Sequence, residues 1–67
     1  MNFMAIITTL QTAFGELETI DPSGANYKKL CMILDRADDD ALRYVYAADI
    51  KIVSKLAFNR MLTRKLI

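Results

Sequence analysis

The sequence predicts an all-α fold: a single domain over residues 1–67, built as a compact bundle of three to four helices and completed by association of the chain with itself. Three observations carry the prediction. Apolar residues recur at steps of three and four through most of the chain, which is the period of an amphipathic helix rather than a strand. The segments 21–24 and 38–40 interrupt that period with turn and capping residues. Hydrophobic residues make up 54% of the chain, while a domain of this length buries only about 60% of the surface its unfolded chain exposes. Small folds make up such a shortfall with disulfides, a metal or a partner chain.

The first helix is predicted over residues 3–20, with Phe3, Ile6, Ile7, Leu10, Ala13, Phe14, Leu17 and Ile20 forming its stripe. The β-branched run Ile6, Ile7, Thr8, Thr9 lowers helix propensity and leaves a short strand as the alternative, which the longer periodicity outweighs. Its outer face carries hydroxyl and amide groups instead of charge. Gly15 marks a weak point or a close backbone approach. Asp21, Pro22, Ser23 and Gly24 then break the chain, Asp as a cap and Pro as a first helical residue.

The second helix, 23–36, places Tyr27, Leu30, Leu34 and Ala37 on one face with Cys31 beside them, and leaves Met32 and Ile33 off that stripe. Asp38, Asp39 and Asp40 predict a helix start, because carboxylates accept orphan backbone donors and favour the positive end of the helix dipole. The third helix is short, 39–47, with Leu42, Val45 and Tyr46 inward and Tyr44 on another side. Ala47 and Ala48 contain no breaker, so the third and fourth helices could be continuous; the reading favours a break, with Asp49 capping the fourth.

That fourth helix, 49–65, is the one around which the bundle is expected to form, with the first helix packed along it. Ile50, Val53, Ala57 and Met61 make one face, Ile52 and Leu56 one flank, Phe58 and Leu62 the other. A helix apolar on several sides needs several neighbours. The predicted interface between copies is therefore Met32, Ile33, Ile52, Leu56 and Phe58, and a two-fold dimer is favoured as the commonest closed assembly. No repeat, low-complexity tract or interdomain linker is visible.

Charge is segregated. Eight acids and four bases lie in residues 1–49, five bases and no acid in 50–67, for a net charge of +1. Lys51, Lys55, Arg60, Arg64 and Lys65 could meet an anionic partner, either a nucleic acid or an acidic protein surface. All five on duplex DNA would give a slope of log affinity against log salt of roughly −4.5. The third and fourth helices have the outline of a helix-turn-helix. Yet a recognition helix reads bases with its first residues, which here are Asp49, Ile50, Lys51, Ile52 and Val53. Near-zero net charge also argues against it, and cations late in a helix suit its dipole with no ligand present. Tyr27, Tyr44 and Tyr46 could stack on bases, but core or interface is the simpler reading. A membrane-surface helix with Lys51, Lys55 and Lys65 polar and Phe58 and Leu62 inserted ranks last, for want of one clean polar face.

Catalysis is discounted. There is no histidine, and Cys31 is the only cysteine, so neither an internal disulfide nor a Cys/His zinc set can form. Cys31, within Leu30-Cys31-Met32-Ile33, reads as a small buried hydrophobe. The Asp38–Asp40 run lacks calcium-loop spacing, and no glycine-rich phosphate loop is present. No cofactor or metal is expected. The longest apolar runs, such as Phe3–Ile7 and Leu30–Leu34, are five residues against the roughly 20 that span a bilayer. With no signal-peptide pattern, the cytoplasm, or a host's, is the expected compartment. A frame this short suits phage or mobile-element proteins and small bacterial regulators alike. The function these readings favour is a non-enzymatic interaction or regulatory protein acting as a homo-oligomer. The alternatives are nucleic-acid binding through the basic helix, and an adaptor or inhibitor that binds an acidic protein surface.

Overall fold

A break in the apolar period becomes a helix end wherever the backbone there can turn, and four helices result. The structure is a computed structural model that describes residues 4–21 and 23–67. Among the described residues run α1 (Ala5–Phe14), α2 (Ala25–Arg36), α3 (Asp39–Ala47) and α4 (Lys51–Thr63), with no strand. They fold within 28 × 23 × 19 Å. The predicted all-α class stands. Phe3 and Pro22, which the sequence reading placed at helix starts, lie outside the described residues.

α1 is shorter than its stripe. The helix stops at Phe14, and Gly15 follows at φ 75°, with its N–H still donating to the Gln11 carbonyl at 2.8 Å. Glycine takes that positive φ without the Cβ clash other residues meet. Leu17 and Ile20 are nonetheless buried, because the irregular segment after Gly15 turns them into the same core. Of the predicted stripe, Leu10, Leu17 and Ile20 are buried and Ile6, Ile7 and Phe14 pack partly against the core, but Ala13 is exposed, and the period overran the helix.

α2 starts at Ala25 rather than residue 23. Asp21 closes the preceding turn: its carboxylate accepts from the Ser23 backbone N–H at 2.9 Å and the Ser23 hydroxyl at 2.8 Å. Those two bonds, the backbone one foremost, hold the Asp21 carboxyl below its ordinary range. α3 begins as predicted, with the Asp38 carboxylate accepting from Ala41 N–H at 2.9 Å.

The break between α3 and α4 is real, but Asp49 is not the cap. Asp49 sits at φ 53° and Lys51 at φ 35°, both left-handed, and Ile50 between them occupies the cap position. Aspartate is among the few non-glycine residues that tolerate this region. The capping work falls to Ser54, whose Oγ accepts from Ile50 N–H at 2.6 Å and donates to the Val45 carbonyl at 2.7 Å. One buried hydroxyl thereby ties the end of α3 to the start of α4.

The core joins Leu10, Leu17 and Ile20 to Leu30 and Leu34 of α2, Leu42 and Val45 of α3, and Val53, Leu56, Ala57 and Met61 of α4. α4 packs most extensively on α3 and then on α2. α1 has α3 as its main neighbour and is not packed along α4. The expected strut is present, with a different partner beside it.

Candidate functional site

α4 turns Val53, Ser54, Ala57 and Met61 inward. A helical period of 100° per residue then puts Lys51, Lys55, Phe58, Asn59 and Leu62 outward, with Ile52 at one edge. Leu62 is 47% exposed. Phe58 is half-buried against Tyr46 of α3, the ring centroids 5.4 Å apart and tilted by 30°. Lys51, Lys55, Ser54 and Asp49 complete a shallow depression around that ring pair. Lys55 also borders a second depression, with Tyr27, Ile52 and Asn59.

The five predicted interface residues do not share one face. Leu56, at 6% exposure, belongs to the single-chain core, so it has no surface left for a partner. Ile52 and Phe58 lie on the outer side of α4, as above. Met32 and Ile33 lie elsewhere: on α2 they share a side with Lys29 and Arg36, whereas Tyr27, Leu34 and Cys31 occupy the opposite side. Met32 is 52% exposed.

Beside Met32 and Ile33 runs an open groove between α1 and α2. Ala5, Ile6 and Thr9 of α1 face Ile33, Arg36 and Ala37 across it, over Ala41, and it continues past Ala13, Phe14 and Met32. α1 contains no charged residue, and Leu10 is its one buried side chain. Ala5, Thr8, Thr9, Gln11, Thr12 and Ala13 are exposed.

The cations of the last helix divide into two kinds. Arg60 Nε donates to Asp35 Oδ1 at 2.8 Å. Arg64 spreads its guanidinium over the end of α2, donating to the Ala37 carbonyl at 2.7 Å, the Asp35 carbonyl at 2.9 Å and Asp39 Oδ1 at 3.1 Å, with a longer 3.4 Å contact to the Leu34 carbonyl. Terminal carbonyls carry the negative end of the helix dipole, so Arg64 serves the end of α2, and Arg60 is held by a carboxylate on the same helix. Lys51, Lys55 and Lys65 are exposed and enter no ion pair among the described residues. With three cations free instead of five, the slope on duplex DNA falls from roughly −4.5 to about −2.7.

Cys31 is a free thiol, half-buried rather than fully enclosed. Among the described residues no group of three or more His, Cys, Asp or Glu side chains could hold a metal ion, and no helix is long and apolar enough to cross a membrane. Sequence reasoning missed Ser54, the α2-capping role of Arg64 and the α1–α2 groove. Each depends on how helices meet, which periodicity within one helix does not encode. Comparison with protein-family models, curated proteins and solved structures finds no match to this chain.

Proposed function

We propose that this chain is a small non-enzymatic interaction protein that works as a homo-oligomer, a two-fold dimer in its simplest form, and that the copies meet over the α1–α2 face. The observation that carries the reading is α1 itself: a charge-free helix exposed over most of its length, beside an apolar groove. Helices that stay in water ordinarily carry charge on their outer side. Charge-free α1 meets its copy without like-charge repulsion, and Ala5, Thr9 and Ala13, one turn apart, are small enough to admit a second helix closely. Pairing over the outer side of α4 would set Lys51 and Lys55 on the contacting helix itself, whereas Lys29 and Arg36 of the α1–α2 face lie on the α2 side of the groove. A regulatory role belongs to the same reading, as the use to which such an assembly is put.

Molar mass by light scattering across a dilution series tests this. Twice the 7.6 kDa of one chain, falling towards one chain only on dilution, is the expected result. One-chain mass at every concentration would end the reading.

A further inference from the structure

We infer a second binding site, on the outer side of α4, that takes single-stranded nucleic acid. It is independent of the self-association proposed above and lies on a different face.

Lys51 and Lys55 are one helical turn apart, about 6 Å between Cβ atoms, and neither is held by an acid. Rings lie on both sides of Lys55: the Tyr46–Phe58 pair in one depression and Tyr27 in the other. Tyr46 is 47% exposed, leaving ring surface open beside the lysines. A cation between ring surfaces matches the alternation of phosphate and base along a single strand, where bases stack on aromatic faces and the backbone tracks positive charge. In a duplex the same base faces are already stacked, and the two arginines that would extend the basic track are held by α2. An acidic peptide could meet the lysines, but it has no flat rings to lay against Tyr46.

Asp49 sits on the rim of the Tyr46–Phe58 depression. Its charge opposes phosphate there, so the strand's backbone runs on the Lys55 side. Asp49→Asn removes the charge and keeps a side chain suited to the left-handed φ of 53°.

The chain has three tyrosines and no tryptophan, so tyrosine emission reports ring stacking directly. Titrating the full chain with an oligothymidylate of about 12 nucleotides, within the usual span of one binding site, should quench that emission. The salt slope should be about −1.4, from two phosphate contacts on a single strand. Tyr46→Leu should weaken binding about tenfold. Lys51→Gln with Lys55→Gln should flatten the salt slope, and Asp49→Asn should strengthen binding, all with unchanged far-ultraviolet circular dichroism. Three results would each overturn the site: no quenching at low salt, binding indifferent to these substitutions, or polyglutamate-type selectivity in which a polyglutamate peptide of equal charge binds as tightly as the oligonucleotide.

Discussion

Ser54 and Arg64 show how single side chains set the geometry of this small bundle. Around Ile50 two non-glycine residues hold positive φ, and such conformations, at about 1–3 kcal/mol each, persist only where their surroundings over-determine them. The Ser54 hydroxyl supplies that constraint, with one bond in each direction and 5% exposure. Ser54→Ala leaves the Ile50 donor and one bond of the Val45 carbonyl unmade, so the urea midpoint should fall by the equivalent of about 1–3 kcal/mol. An unchanged midpoint would mean that the turn is held by packing alone. Arg60 and Arg64 offer a sharper contrast. Arg60 has one partner, Asp35, which is 59% exposed, and exposed pairs contribute about 0–1 kcal/mol. Arg64 satisfies carbonyls that the end of α2 otherwise leaves to water, so Arg64→Ala should cost about 1–2 kcal/mol and exceed Arg60→Ala when both are measured by chemical denaturation.

Helix termini decide how much of each element could be read from the chain. The start of α3 was legible because Asp38 caps it and Asp39 and Asp40 fill its first turn, whereas its end, at Ala47 with no breaker after it, was not fixed by the sequence. The end of α1 was not, since Leu17 and Ile20 continue the stripe on paper while Gly15 already bends the backbone away. The start of α4 was misplaced onto Asp49 for a related reason. An aspartate before an apolar run suits a cap, but it also suits the left-handed position that ends the helix before it, and sequence does not separate the two. At the other end of α4, Leu66 N–H bonds the Met61 carbonyl at 2.9 Å and Lys65 N–H the Leu62 carbonyl at 3.0 Å. That pair of bonds closes the helix in a turn whose left-handed residue is usually glycine, and here it is Lys65 at φ 61°. Lys65→Gly should therefore raise stability, by about 0.5–1 kcal/mol in a thermal or urea melt. A loss would show that the lysine side chain contributes more than its backbone costs.

At the scale of the whole molecule, the apolar surplus legible in the composition does not lie where the period of α4 placed it. Leu56 is consumed by the chain's own core, Ile52 and Phe58 border depressions that also hold lysines, and Met32 with Ile33 joins α1 on the opposite side of α2. A helical wheel ranks the sides of one helix but carries no record of which neighbour covers each, so five residues read as one patch divide into a core residue and two faces. The basic helix divides likewise, its arginines turned to the fold and its lysines to water. Of the two faces, the account assigns self-association to the one that carries the uncharged helix α1. Molar mass of two matched variants tests this most directly: Met32→Glu on the α1–α2 face and Leu62→Glu on the outer side of α4, positions of similar exposure at 52% and 47%. The account predicts single-chain mass with helicity kept for Met32→Glu, and an intact dimer for Leu62→Glu. The reverse pattern, or no change in either, would contradict it.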